Sequence, residues 1–240
     1  MKALILAAGM GTRLSPITDS CPKSLVPVNG KPILDKQLEN LYENGIREIT
    51  VIAGYKHDVL KSHVNTLFPE VNIIFNRDYA TTNNMFSAYL GRQFVEGSDF
   101  LMMNADVFFD SSVISSLLNH GAENAIVTDI GNYLEESMKV TEENGRITGI
   151  SKQISKKDAL GSSIDVYKFS ESAGSAFFKK CHEYIVVKKE LNLWSEVALN
   201  DILREVQFEA CPLVGRWTEI DDHSDLRTAE ELFSEYRHNS

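Results

Sequence analysis

The chain opens with Lys2-Ala3-Leu4-Ile5-Leu6-Ala7-Ala8-Gly9-Met10-Gly11-Thr12-Arg13-Leu14 and then reaches Pro22-Lys23-Ser24. The apolar run predicts a buried strand that breaks into a glycine loop. Glycine has no Cβ, so the backbone N–H groups of such a loop can approach an anion closely. Arg13 and Lys23 add two full positive charges. The stretch therefore predicts a binding site for a nucleoside triphosphate.

Two commoner phosphate loops do not fit this stretch. A dinucleotide-binding loop needs a third glycine where Leu14 stands. A Walker loop needs Gly-Lys-Ser or Gly-Lys-Thr after four spacer residues, and the stretch has no such run. A plain strand-to-helix turn could use the glycines for their dihedral angles alone. Such a turn would need neither the Thr12-Arg13 pair nor the Pro22-Lys23 pair.

The residues from Ala7 to Lys23 follow the pattern Ala-Ala-Gly-x-Gly-Thr-Arg-Leu-x-Pro-x-Thr-x-x-x-Pro-Lys. This pattern resembles the opening of the nucleotidyltransferases that activate sugar phosphates and small phospho-alcohols. The resemblance implies that two catalytic cations bind the nucleotide, Arg13 at the triphosphate and Lys23 at the α-phosphate. It also implies nucleotide contacts along the strand and loop, at Leu6, Ala7, Ala8, Gly9, Gly11 and Thr12.

Composition and length limit the class of protein. Thirty-four acidic residues against 24 Lys and Arg give a net charge of −10, which argues against a general nucleic-acid surface. Three cysteines at unrelated spacings predict reduced thiols in a cytoplasmic protein. No signal peptide or apolar run of membrane-spanning length is recognisable, so we expect no membrane partner. The oligomeric state stays open, with a homodimer as one option.

Strand and helix patterns alternate along the first half. Strands are predicted at 3–7, 48–53, 71–75, 99–104 and 125–129, and helices at 33–44, 57–67, 85–93 and 112–119. Apolar strands joined by crossover helices predict an α/β fold with a mostly parallel sheet covered on both faces. The resemblance implies the Rossmann-like, three-layer, GT-A-like version of this fold. Ligands of such sheets collect at the carboxyl ends of the strands, where Gly9, Gly54-Tyr55 and Asp106 fall.

The pattern changes after about residue 130. Shorter strands are predicted at 138–140, 146–150 and 164–169, helices at 172–189 and 196–205, a strand at 217–220 and a helix at 224–236 capped by Ser224. No repeat or linker divides the chain. We therefore expect one domain over 1–240, with a nucleotide-binding half at 1–130 and an acceptor-binding half at 131–240.

Acidic residues at two places predict a Mg²⁺ site. Asp106 follows a buried strand, where a carboxylate can hold Mg²⁺ on a phosphate; the alternative is a helix cap. Glu219 and Asp221 are two residues apart and so share one face of the predicted strand. The stretch Glu219-Ile220-Asp221 resembles the second metal motif of the family, which implies that Asp221, with Glu219, joins Asp106 on one Mg²⁺. The alternative is a solvated acidic turn before the last helix.

The stretch Thr82-Asn83-Asn84, followed by Ser87 and Tyr89, resembles the branch of the family that uses CTP. This branch includes choline-phosphate cytidylyltransferases and enzymes that activate aminoethylphosphonate. An asparagine carries both a donor and an acceptor, so Asn83 and Asn84 are predicted to contact the nucleotide, either at the pyrimidine edge or at a phosphate. The alternative is that one of them caps the following helix.

Four residues of the second half are predicted to bind the acceptor: Lys139, Lys152, Asp165 and Trp194. Asp165 interrupts an apolar strand, and a carboxylate in such a place needs a cationic partner. That partner is either an ammonium of the substrate or one of the two lysines. A quaternary ammonium would favour an aromatic cage instead, for which the chain offers Tyr79, Tyr167, Trp194 and Trp217.

These features together predict a Mg²⁺-dependent cytidylyltransferase. It would join CTP to a small phosphate or phosphonate, such as a phospho-amine, and release pyrophosphate. One alternative is a nucleotidyltransferase for a sugar 1-phosphate that uses UTP, dTTP or GTP. An alternative of another class is a non-catalytic nucleotide-sensing subunit, which would be expected to have lost a cation or a metal carboxylate.

Overall fold

The computed structural model describes residues 1–133 and 136–238, which form one large sheet, two small ones and seven α-helices. The strands are Lys2–Ala7 (β1), Pro27–Val28 (β2), Lys31–Pro32 (β3), Ile49–Ala53 (β4), Asn72–Phe75 (β5), Phe100–Asn104 (β6), Val107–Phe109 (β7), Ala125–Ile130 (β8), Lys139–Glu143 (β9), Arg146–Ser151 (β10), Gly161–Phe169 (β11), Glu209–Pro212 (β12) and Trp217–Glu219 (β13). The helices are Ile33–Glu43 (α1), His57–Leu67 (α2), Asn84–Val95 (α3), Ser112–Asn119 (α4), Glu171–His182 (α5), Ser195–Ile202 (α6) and His223–Leu232 (α7).

The large sheet has the strand order β10-β9-β11-β6-β1-β4-β5, and β8 and β12 extend it beside β11. The strands β6, β1, β4 and β5 run parallel to one another. Side chains alternate across β1, so Ile5 joins the core with α1, α2 and α4, while Leu4 joins the core with α3, α5 and α6. Helices therefore cover both faces, and the three-layer α/β fold predicted from the sequence is confirmed.

The second half adds antiparallel pairings to this sheet. Strand β11 runs antiparallel to β6, β8 and β9, and its register with β8 shifts between Ser163 and Tyr167. Asp165 lies inside this bulge with φ of 59°, a left-handed conformation that is uncommon for a residue with a side chain. The bulge thus lies where β11 passes the carboxyl end of β6.

The predicted elements of the first half agree with the structure to within two residues at each end. Other elements differ more: β9, β11 and α6 differ from their predicted ranges by three residues at one end and α7 by four, and β2, β3 and β12 were not predicted. The cap of α7 is Asp222, not Ser224, because the side chain of Asp222 accepts from the backbone N–H groups of Ser224 and Asp225, while the side chain of Asp225 accepts from the backbone N–H of Asp222. The predicted helix 172–189 ends as α5 at His182 and continues as a π-helical turn. Strand β7, which pairs with β13, was not predicted.

Within the described ranges, no helix combines the length and the apolar character that a membrane crossing requires.

Gly54 is required by a close approach of two backbone segments. A Cβ on Gly54 would lie 2.5 Å from the backbone oxygen of Ala8 and 2.6 Å from the Cβ of Tyr79. We expect Gly54→Ala to lower the free energy of unfolding by about 1–3 kcal/mol, because the clash is with atoms that no side-chain rotation can move. Urea denaturation measures this change.

Gly121→Ala is the matched control, since a Cβ there would meet nothing within 4 Å. Its free energy of unfolding should stay within about 0.5 kcal/mol of the unmodified protein. Equal stability of the two variants would contradict the steric role of Gly54.

Candidate active site

A cavity of about 360 Å³ lies at the carboxyl ends of β1, β5 and β6. Of the residues predicted from the sequence, it is lined by Leu6, Ala8, Gly9, Arg13, Asn83, Asn84, Asp106, Lys152, Asp165, Trp194, Glu219 and Asp221. A smaller pocket of about 40 Å³ shares Leu6, Gly9 and Asp106 with it and adds Ala7 and Lys23. The predicted residues that line neither space are Gly11, Thr12, Gly54, Tyr55 and Lys139.

Three carboxylates converge at one end of the cavity. Asp106, Glu219 and Asp221 each offer a carboxylate oxygen, and these three oxygens lie within 4.8 Å of one another. Asp106 follows β6, and Glu219 ends β13, which pairs with β7 and so brings the second acidic segment beside the first. The backbone N–H of Ile220 donates to the carbonyl of Asp106 at 2.9 Å and fixes this approach. The structure thus brings together the residues predicted to hold a metal.

Two cations contact the carboxylate cluster. Lys23 Nζ lies 2.8 Å from Asp106 Oδ2 and 2.5 Å from Asp221 Oδ1, and Arg13 contacts the other oxygen of Asp221 at 2.7 Å. Burial disfavours the charged lysine, but the two carboxylates outweigh it and raise the pKa of Lys23 above its ordinary value. The same cations, working against burial, hold the pKa of Asp221 below its usual range.

Glu219 lacks this compensation. Burial, with repulsion from Asp106, Asp165 and Asp221 adding to its effect, raises the pKa of Glu219 to about 9. A second sign of excess negative charge is Asp106 Oδ1, a buried oxygen without a hydrogen-bond partner among the described residues. The cluster therefore has room for a further cation next to Lys23.

The glycine loop places Lys23 by conformation and by space. Gly11 has φ of 61°, and a Cβ on it would lie 2.7 Å from the Cβ of Lys23. Its carbonyl also accepts from the hydroxyl of Thr18 at 2.9 Å. Gly11 thus acts on the position of Lys23 from outside the cavity lining, whereas Gly9 faces open space, with nothing within 4 Å of a Cβ built on it.

Tyr55 also supports the glycine loop from outside the cavity lining. Its hydroxyl donates to the backbone carbonyl of Thr18 at 3.1 Å, and its backbone N–H donates to the carbonyl of Ala8. These bonds tie the end of β4 to the glycine loop. The structure therefore gives Tyr55 a position behind the loop and not in the cavity, although its sequence position at a strand end predicted a nucleotide contact.

The two predicted asparagines have different positions. Asn83 is the N-cap of α3, and its side chain accepts from the backbone N–H of Asn84 at 2.8 Å. Asn84 crosses the cavity wall: its amide donates to Asn104 Oδ1 at 3.3 Å and accepts from the backbone N–H of Ser195 at 2.7 Å. The capping alternative is confirmed for Asn83, while Asn84 joins the two halves of the site.

The cavity also holds a group of largely buried polar side chains around Asp165. Its carboxylate accepts from Asn104 Nδ2 at 2.9 Å and from the hydroxyl of Tyr167 at 2.8 Å. The same hydroxyl lies 2.9 Å from Glu196 Oε1. Burial, with repulsion from Glu196 and Asp106, raises the pKa of Asp165 to about 7, and burial raises the pKa of Glu196 as well.

Glu196 was missed by the sequence reasoning. Acidic residues are favourable in the first turn of a helix, so a glutamate at the start of α6 gives no sign that it is 3 % exposed and lines a cavity. The only available signal was its place between Trp194 and the apolar residues that follow it. Contact with Asp165, 31 positions earlier in the chain, could not be read from the sequence.

The two predicted lysines differ. Lys139 is 6 % exposed and donates to the backbone carbonyls of Ser137 and Lys152, so the structure does not bring it to the cavity. Lys152 does line the cavity, with its Nζ 5.0 Å from the centre of the Trp194 ring. Pairing of Asp165 with either lysine is not supported, because Asn104 and Tyr167 hold its carboxylate.

Comparison with known proteins agrees with this geometry. Residues 2–147 match the family model described as nucleotidyl transferase. Over 96 % of its length the chain is 31 % identical to the CTP:phosphoglutamine cytidylyltransferase of Campylobacter jejuni, 100 % of which is covered. A stretch of 96 residues, 39 % of this chain and 40 % of the relative, is 47 % identical to the choline-phosphate cytidylyltransferase of Streptococcus pneumoniae.

A solved structure supports the same assignment. The CTP:phosphocholine cytidylyltransferase from Streptococcus pneumoniae matches with a TM-score of 0.75 and 27 % identity, covering 96 % of this chain and 97 % of that one. The predicted fold and enzyme class are therefore confirmed. With the family model spanning more than half of its residues and a full-length relative of the same kind, the chain belongs to the nucleotidyl transferase family.

Proposed function

We propose that this protein is a cytidylyltransferase that transfers CMP from CTP to a small phosphate or phosphonate and releases pyrophosphate. The observation that carries the proposal is the cluster of Lys23, Arg13 and three carboxylates at one end of a single cavity. Phosphoryl and nucleotidyl transfer need positioning and charge neutralisation more than covalent help from the protein. The relatives described above carry names that specify CTP, which favours this nucleotide over UTP, dTTP or GTP.

We propose that Mg²⁺ binds to Asp106, Glu219 and Asp221. Their oxygens suit this hard cation, and the unpartnered oxygen of Asp106 and the raised pKa of Glu219 both indicate unmet demand for positive charge. A bound Mg²⁺ would neutralise phosphate charge as it develops in the reaction. This cluster has lost neither its cations nor its carboxylates, which counts against a non-catalytic nucleotide-sensing role.

In the same proposal, the chain's own cations act at the phosphates. Lys23 is buried next to the cluster and would bind the α-phosphate, while the more exposed Arg13 would bind the outer phosphates. The backbone from Leu6 to Gly9 would hold the nucleotide at the cavity mouth, with Asn84 beside it. Residues 1–130 would thus supply most of the nucleotide site, and residues 131–240 the acceptor site with Lys152, Asp165 and Trp194.

Nucleotide choice is tested by thermal shift in the presence of Mg²⁺. We expect CTP at about 100 times its dissociation constant to stabilise the protein by about 2.7 kcal/mol, because a ligand that binds only the folded state shifts the folding equilibrium by mass action. For a chain of this size the shift corresponds to roughly 5–10 °C in melting temperature.

The control nucleotides are UTP, dTTP and GTP at the same concentration. A larger shift with one of them would contradict the assignment of CTP and favour a sugar-phosphate nucleotidyltransferase. Pyrophosphate release from CTP, measured with and without a phosphorylated acceptor, separates transfer from simple hydrolysis.

A further inference from the structure

Next to the cavity, one tyrosine hydroxyl lies between two carboxyl groups that line it. Tyr167 Oη is 2.8 Å from Asp165 Oδ1 and 2.9 Å from Glu196 Oε1. A phenol hydroxyl has a single proton, so it can donate to only one of them. The second contact is a hydrogen bond only if that carboxyl carries a proton and donates to the tyrosine oxygen. Two carboxyls that contact one hydroxyl in this way are satisfied by one shared proton or by a cation bound between them.

One oxygen of this group lacks a donor. Glu196 Oε1 lies 2.9 Å from Tyr167 Oη and accepts from the hydroxyl of Ser195 at 3.1 Å, but Oε2 is buried and has no hydrogen-bond partner among the residues that the structure describes. The residue is 3 % exposed and lines the cavity. A buried acceptor without a donor is unfavourable. A ligand in the cavity can remove this cost by supplying an N–H or O–H group with positive charge.

The backbone conformation of Asp165 and one hydrogen bond fix the position of its carboxylate next to that of Glu196. The left-handed backbone of Asp165, together with the bond from Asn104 Nδ2 to Oδ2, holds its carboxylate in the cavity wall. A left-handed conformation is costly for a residue with a side chain and persists when the surroundings enforce it. Two carboxyls from different elements are thus kept close together although each repels the other.

We propose that Asp165 and Glu196, held together by the hydroxyl of Tyr167, bind an ammonium group that carries N–H bonds, so that the acceptor of the proposed cytidylyl transfer is a phosphate or phosphonate of a primary or secondary amine. The inference rests on the proposed function and specifies its acceptor. An ammonium with two or three N–H bonds supplies both the missing donor for Glu196 and the charge that replaces the shared proton.

A quaternary ammonium fits the site formed by Asp165 and Glu196 less well than a primary or secondary ammonium does. It has no N–H bond to give to Glu196 Oε2, and it is bound best over open aromatic faces. The aromatic residues among the described lining are Tyr79 and Trp194. The Trp194 ring already has Lys152 Nζ 5.0 Å from its centre, and Tyr79 packs edge-on to Tyr55. The polar lining selects an amine that donates hydrogen bonds.

Three acceptors of equal length test the inference on the unmodified protein. These are 2-aminoethyl phosphate, its N,N,N-trimethyl counterpart and 2-hydroxyethyl phosphate, with the 3-carbon phosphonates as a second set. Pyrophosphate release from CTP gives kcat/KM for each. We expect the amine to exceed both counterparts by about 30-fold or more, the range found when one partner of a buried charge pair is removed.

Glu196→Gln is the matching variant, because it removes the charge with little change in shape. It should lower kcat/KM for the amine by about 30-fold or more while the hydroxyl acceptor and the KM for CTP change by less than about threefold. Glu205→Gln, on an exposed residue after α6, is the control and should leave all three acceptors unchanged. Melting temperatures show whether both variants are folded.

The outcomes separate the two proposals. Equal kcat/KM for the amine and the trimethyl or hydroxyl acceptor would overturn the ammonium site and leave the cytidylyltransferase function standing. A Glu196→Gln variant that loses activity equally on all acceptors would also overturn it, because it would show a structural role. No pyrophosphate from CTP with any acceptor in either set would overturn the proposed function and this inference with it.

Discussion

Replacing Asp106 or Asp221 by asparagine is expected to lower kcat by about a thousandfold. Each carboxylate belongs to the cluster whose oxygens lie within 4.8 Å of one another. Asparagine keeps the shape of the side chain but removes the negative charge that a divalent cation needs. A bound metal contributes several kcal/mol of charge stabilisation in the transition state, and about 1.4 kcal/mol corresponds to a factor of ten in rate. Steady-state pyrophosphate release at saturating Mg²⁺ measures the change.

Asp222→Asn provides the control for this experiment. Asp222 adjoins Asp221 and carries the same charge, but its side chain caps α7 and accepts from the backbone N–H groups of Ser224 and Asp225. Asparagine is as good a cap as aspartate, so this variant should keep its kcat within about twofold. Near-normal turnover of both Asp106→Asn and Asp221→Asn would contradict a shared metal site, whereas equal losses in all three variants would indicate a general effect of charge.

Local signals were sufficient to predict the parallel core. Strand β1 contains five buried apolar residues before the glycine loop, and this run marks a central strand whatever its neighbours are. The pairing of β7 with β13 was missed because β7 has only three residues, Val107–Phe109, and follows β6 after a two-residue turn. A strand of three residues is too short to show the two-residue alternation of apolar and polar side chains by which strands are recognised in a sequence. Its partner lies about 110 positions later in the chain.

The N-terminus of α7 has two residues that could cap the helix. Both Asp222 and Ser224 are favourable N-cap residues, and position alone did not decide between them. The structure uses Asp222 because Asp225, three residues later, returns the hydrogen bond and completes a capping box. The cap is two residues earlier than predicted, so Asp221, which contacts Lys23 and Arg13, stands directly before it.

Residues of the site differ in how far the sequence could identify them. Lys23, Arg13 and Asp106 belong to short motifs with fixed spacing, so their convergence could be predicted. Lys139 could not be separated from Lys152 in this way, because both are isolated lysines near short strands. Burial decides between them: Lys139 is buried and donates to backbone carbonyls, while Lys152 lines the cavity. Such a difference depends on tertiary packing and not on local pattern.

Alanine substitutions of Lys23 and Arg13 are expected to change different kinetic constants: kcat for Lys23 and the KM for CTP for Arg13. Lys23 is nearly buried between two carboxylates, and a charge held in place near a reacting phosphate stabilises the transition state most. We expect Lys23→Ala to lower kcat by about 10²–10³-fold, the loss found when one preorganised donor to developing charge is removed. Its KM for CTP should change much less.

Arg13 has a side chain that is 63 % exposed, so water screens its charge and it contacts the nucleotide equally before and during reaction. Arg13→Ala should therefore raise the KM for CTP about tenfold, the equivalent of one hydrogen bond to a charged group, with kcat nearly unchanged. Lys31→Ala is the control: it removes a cation that pairs with Glu39 outside the cavity and should change neither constant. The reverse pattern, with Arg13 controlling kcat and Lys23 controlling KM, would show that Arg13 acts at the reacting phosphate and that the buried lysine serves only to bind the substrate.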